Sequence, residues 1–190
     1  MPAIDIARLR TQSAVLVEKF DQPAAFVSSF HNILDLYAER AIHQRPVATP
    51  VSILPAYRVP VAVMRQIEME LSPLAATFPE QAMALTDVLW QEGYLECRML
   101  AASMLGKIHP ETPQLVERIT AWVTRTTDEQ LRIALLRNSL TRVRQESTSR
   151  FLHIMRMWFD PYSPKMWASA IHAVIPLIED PKYENLPPIY

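Results

Sequence analysis

Seven arginines crowd one stretch of the chain: Arg125, Arg132, Arg137, Arg142, Arg144, Arg150 and Arg156. Only Asp128, Glu129 and Glu146 oppose them there, leaving the stretch at a net +4. A guanidinium presents a planar fork of donors that fits two phosphate oxygens at once, and helix N-termini nearby add backbone donors. The chemistry this set supports is phosphate recognition; the alternative is a solvated helical surface. The asymmetry is local, because the whole chain carries a net charge of only −1. Residues 1–100 hold 8 basic and 11 acidic side chains, whereas residues 101–170 hold 10 and 6. Such a division marks a binding face even in a nearly neutral protein.

Other chemistries are poorly supplied. Two glycines, Gly93 and Gly106, cannot build a glycine-rich phosphate loop, a dinucleotide fingerprint or a nucleophile elbow. No two of the histidines at 31, 43, 109, 153 and 172 stand three or four apart, and no HExxH motif exists, so no metal and no cofactor is expected. Glu68 and Glu70 lie two apart on a helix and point to different sides, which rules out a carboxylate dyad. Cys97, the one cysteine, falls on an apolar helical face, where a thiol serves as a small hydrophobe. Trp90, Trp122, Trp158 and Trp167 are expected to pack between helices.

The elements that must position these residues are helices. Apolar residues step by three or four along 3–19, and again from Pro23 to about His43 through Phe26, Phe30, Ile33, Leu34 and Tyr37. Pro46, Pro50, Pro55 and Pro60 exclude regular helix from a 46–59 connector, and long connectors in compact domains are often functional or mobile. After Pro60 the periodicity predicts short helices in close succession. One ends before Pro73. One starts at the capping-box pair Thr77 and Glu80 and stops at Gly93. Others cover 94–108, a segment opening at Thr112-Pro113, one capped by Thr126 with Glu129, the stretch from Ser147 to Phe159, and a last one opening at Ser163-Pro164. No alternating strand pattern competes.

The expected fold is therefore all-α, with about eight or nine helices in one domain over residues 1–190. Short successive helices fit a right-handed α-α superhelix of antiparallel pairs, an irregular HEAT-like solenoid, or else a compact bundle. At 190 residues and 49% apolar composition the chain can bury a core without disulfides. Asp5, Arg8 and Arg10 interrupt any signal-peptide pattern, and no apolar run approaches the ~18 residues that span a bilayer. With a single cysteine, a reducing cytoplasm and no membrane partner are expected.

Three stretches then become familiar together: Tyr57-Arg58-Val59-Pro60 through Ile67, Ala84-Leu85-Thr86-Asp87-Val88-Leu89-Trp90, and Gly93-Tyr94-Leu95-Glu96-Cys97-Arg98-Met99-Leu100-Ala101-Ala102. They resemble the DNA alkylation repair enzymes of the AlkD type, glycosylases built from HEAT-like helical repeats. The resemblance spans about residues 57–175. It implies a concave basic face on duplex DNA, two tryptophans and an aspartate beside the lesion, and an arginine on the backbone. In that scheme indole faces stabilise the cationic base, and the carboxylate supports the developing sugar cation and positions water.

The family's Trp-x-x-x-Asp motif reads here Trp122-Val123-Thr124-Arg125-Thr126, so threonine holds the carboxylate position. Asp128, two residues on, takes that role only if Thr126 and Thr127 lie in a turn. The family's Trp-x-Arg-Arg segment reads Trp167-Ala168-Ser169-Ala170. Three readings follow: a DNA-binding protein, on duplex or branched DNA, with a degraded glycosylase site; a protein-protein interaction scaffold; and an active alkylpurine glycosylase. Asp128 is the catalytic candidate, and Trp122, Trp167 and the arginines from 125 to 150 are the DNA-binding ones.

Overall fold

The protein is described by a computed structural model over residues 5–41 and 52–179. Among the described residues the secondary structure is entirely helical. Ten helices follow one another: α1 (Ile6–Glu18), α2 (Pro23–Ala41), α3 (Val61–Thr77), α4 (Pro79–Gln91), α5 (Leu95–Leu105), α6 (Leu115–Arg125), α7 (Glu129–Asn138), α8 (Thr141–Glu146), α9 (Thr148–Trp158) and α10 (Pro164–Ile178). Buried apolar residues from every helix join one core cluster. It runs from Leu9 on α1 through Ile67, Leu89, Leu100, Ile119, Leu135 and Phe151 to Leu177 on α10. Helix α5 lies at its centre, packed against α3, α4 and α7. Nine of its eleven residues are buried, which requires apolar and small side chains nearly all round.

Several boundaries differ from those the periodicity predicts. Helix α3 does not stop at Pro73 but continues to Thr77. Pro73 is exposed, so the carbonyl its missing N–H leaves unpaired lies on the watered side. The Thr77–Glu80 capping box does not form. Thr77 ends α3, its hydroxyl donating to the Pro73 carbonyl at 2.8 Å, and α4 starts at Pro79 with no side-chain cap. The Thr126–Glu129 box is displaced by two residues: the Thr126 hydroxyl closes α6 on the Trp122 carbonyl at 2.7 Å, and Asp128 caps α7. Helix α6 opens at Leu115 rather than at Pro113, after Gln114 in the left-handed region at φ 62°. Of the 46–59 connector, residues 52–59 are irregular as expected, and 46–51 lie outside the described residues.

Candidate nucleic-acid interface

Two buried carboxylates hold residues 52–58 across the starts of two helices. Asp128 is 4% exposed. Its Oδ1 accepts from the Leu131 N–H at 2.7 Å, the N-cap bond of α7, which satisfies one of the helix's orphan donors. Its Oδ2 accepts from the Ser52 hydroxyl and the Ile53 N–H, each at 2.7 Å. Burial by itself would raise this carboxyl, but the bonds from Ser52, Leu131 and Ile53 outweigh it and hold it below the usual carboxylate range. Five residues further along the segment, Glu96 does the same at the first turn of α5. It accepts from the Tyr57 N–H at 3.1 Å and the Arg58 N–H at 2.7 Å, where Arg58 takes the left-handed φ of 57°. Between the two anchors the Leu95 N–H donates to the Pro55 carbonyl at 2.9 Å.

The turn that Asp128 requires is present, since residues 126–128 separate α6 from α7. Its carboxylate, however, is turned onto the 52–53 segment and the α7 N-terminus. Replacing Asp128 by Ala is expected to remove about 2–4 kcal/mol of stability near neutral pH, through the lost cap and the donors left without a partner. A carboxylate whose folded pKa is lowered stabilises the fold above its unfolded pKa and loses that contribution as pH falls through the folded value. The gap between wild type and Asp128→Ala therefore narrows in acid. Urea midpoints at neutral and acid pH check this; coincident midpoints at neutral pH would contradict it.

The tryptophans divide in two. Trp122 is 6% exposed and stacks on Trp90 with ring centroids 4.1 Å apart and planes within 4°. The Arg98 guanidinium stands 5.6 Å from the Trp90 ring and donates through Nε to the carbonyls of Trp90 at 3.1 Å and Glu92 at 3.0 Å, closing the end of α4. Glu96 and Arg98 of the third familiar stretch thus act as tie-points, roles that spacing alone did not reveal because their partners lie on the connector and on the neighbouring helix. Beside them His31 bridges the Tyr57 hydroxyl at 2.8 Å and Glu92 at 3.2 Å. Trp167, in contrast, is half-exposed.

The arginines do not act as one set. Arg144 is buried and donates to the carbonyls of Leu136 and Arg137, finishing α7. Arg142 joins Glu146 at 2.7 Å to the Lys107 carbonyl at 2.9 Å. Arg132 pairs with Glu129. Arg137 reaches Glu179 at 2.7 Å and Arg150 reaches Glu111 at 2.5 Å, both pairs at the surface. Arg125 and Arg156 are exposed and hold no ion pair among the described residues. Burial pushes the Cys97 thiol up to about 12, and no cluster of three metal-ligating side chains occurs among the described residues.

The protein is thus an all-α chain whose motif residues tie one irregular segment across helix ends while leaving arginines outside. It belongs to the DNA alkylation repair enzyme family, whose sequence model matches residues 52–188. No curated protein and no solved structure matches it. No helix among the described residues is long and apolar enough to cross a membrane.

Proposed function

We propose that this chain is a DNA-binding member of the family that does not excise bases, folded as a single right-handed HEAT-like solenoid. The observation that carries the reading is the position of Asp128, whose two oxygens both serve the α7 cap and residues 52–53. Family membership supplies DNA as the partner, and the exposed arginines supply the contact. Arg125 and Arg156 are open, and the surface pairs of Arg137 and Arg150 are cheap to exchange for phosphate, since such pairs contribute only about 0–1 kcal/mol. Arg142 and Arg144 serve helix ends instead and stay out of the interface. A buried, inert cysteine suits a reducing cytoplasm.

The competing reading is a protein-protein scaffold, favoured by the internal pairing of Arg132, Arg142 and Arg144. Titration against duplex and branched DNA at two salt concentrations separates the two. Binding is expected to be weak, because residues 1–100 are net acidic, and to fall as salt rises. The double variant Arg125→Glu with Arg137→Glu is expected to weaken it uniformly across sequences and to flatten its salt dependence. No binding at low salt, or unchanged binding in the variant, would favour the scaffold.

A further inference from the structure

The inward stripe of α10 is Met166, Ser169, Ala170, Ala173 and Leu177. A second apolar stripe lies off it: Trp167, Ile171 and Ile178 are 49%, 48% and 77% exposed, so core packing does not account for them. Steps of four and seven put the three on one side of the helix. From Met166 to Ile178 the helix holds no Asp, Glu, Lys or Arg. At its start Trp167 and Ile171, with Pro161, Pro164 and Ala168, line an open groove of about 410 Å³ that contains no charged side chain. Phe159 meets the Trp167 ring edge-on at 5.8 Å and 78°, which braces the indole, and the indole N–H meets no acceptor among the described residues.

An occupant of this groove must be apolar and uncharged, and it must bring an acceptor for the indole N–H. A second helix would fill the space but spends its carbonyls on its own N–H groups. A polyproline II strand makes no internal hydrogen bonds, so its carbonyls stay free, and it has little conformational entropy left to lose on docking. Residues 180–190, which lie outside the described residues, read Asp-Pro-Lys-Tyr-Glu-Asn-Leu-Pro-Pro-Ile-Tyr. Asp180, Lys182 and Glu184 charge the first part, whereas residues 186–190 carry no charge. Pro187 and Pro188 fix their own φ and turn the residue before each away from helix. The family match also runs through this segment to residue 188, past the end of α10. The distances fit as well. Trp167 stands twelve positions before Glu179, about 18 Å along the helix axis. Residues 180–186 span at most about 23 Å, enough to turn back past Ile178 and Ile171 and reach the groove.

We propose that the chain's own residues 186–190 dock in the Trp167 groove as a polyproline II strand, antiparallel to α10 and covering its second apolar stripe. Grooves lined by aromatic rings take proline-rich segments in this way, with proline rings against the aromatic face. The short tether holds the segment at an effective concentration in the millimolar range, so a contact too weak to capture a free peptide still closes within the chain. The inference is independent of the DNA-binding reading, because it assigns Trp167 to an intramolecular contact rather than to nucleic acid.

Acrylamide quenching of tryptophan emission in the full chain tests the contact. Trp122 and Trp158 are 6% and 2% exposed and Trp90 is stacked on Trp122, so Trp167 is the indole most open to the quencher once its cover is removed. Leu186→Asp combined with Ile189→Asp puts charge into the docking run. The pair is expected to raise the quenching constant about twofold, because the indole loses the atoms packed against its exposed half. In a Trp167→Phe background the same pair is expected to change nothing, which ties the signal to this ring. Circular dichroism checks that every variant folds. Equal quenching of the parent and the Leu186→Asp, Ile189→Asp chain would overturn the proposal. Protection that disappears on dilution, with a dimer in sedimentation, would overturn it in favour of a second copy on the groove.

Discussion

Methylated duplex DNA is expected to keep its 3-methyladenine and 7-methylguanine when incubated with this protein under single-turnover conditions. Glycosidic cleavage builds positive charge on the sugar, and a well-placed carboxylate is the means that the family resemblance supplies to oppose it. Losing one such preorganised group typically costs about 10²–10³ in rate. Thr126 holds the motif position, and its hydroxyl already donates to the Trp122 carbonyl. Asp128, the nearest substitute, has both oxygens engaged. The indole of Trp122 fares no better, because Trp90 covers it in a parallel stack. An indole in that position has no free face for a cationic base on that side.

The positions where the family carries its two arginines point inward here. Ser169 and Ala170 are fully buried, and the Ser169 hydroxyl donates to the Lys165 carbonyl at 2.9 Å. The expected loss of rate therefore includes positioning of the DNA backbone as well as the electrostatics. Robust base release that Asp128→Asn abolishes, in a variant still folded by circular dichroism, would overturn this expectation and restore the glycosylase reading.

Gly106→Ala is expected to destabilise the fold by at least about 3 kcal/mol, toward the upper end of overpacking costs. Gly106 closes α5 against the last turn of α7. A Cβ added there would stand 1.9 Å from the Asn138 carbonyl oxygen and 2.9 Å from its carbon, both backbone atoms that cannot swing aside. Neither helix is free to move away. The Arg142 guanidinium joins the Lys107 carbonyl just beyond Gly106 to α8, and Arg144 holds the end of α7. The loss is a large share of the roughly 5–15 kcal/mol that keeps a domain folded. Gly93→Ala is the matched control: nothing lies within 4 Å of its added Cβ and its φ is not positive. Its effect should stay within about 0.5 kcal/mol. Urea or thermal midpoints for the pair provide the test, and equal midpoints for Gly106→Ala and wild type would contradict the close approach.

Sequence alone determined what local physics determines. The three-and-four spacing of Phe26, Phe30, Ile33, Leu34 and Tyr37, and of Leu115, Ile119, Trp122 and Val123, placed apolar residues on one side of each helix, and all of them are buried. Pro79 and Pro164 marked helix starts because a missing N–H does no harm there. The three familiar stretches carried the family, which the match over residues 52–188 bears out. Caps were harder: Thr126 and Asp128 both suit a helix start, and the choice between them turned on which one met the segment at Ser52. That partner is 76 residues away along the chain. The arginines followed the same rule. Their type and density were legible, but Arg137 met Glu179 across 42 residues, Arg150 met Glu111 across 39, and Arg142 met the Lys107 carbonyl across 35. A helix period predicts which side of its own axis a residue faces, whereas these contacts depend on how one helix is laid against another. Tertiary packing therefore decided that Asp128 is a cap, that Arg144 is buried, and that Trp122 lies inside a stack while Trp167 faces solvent.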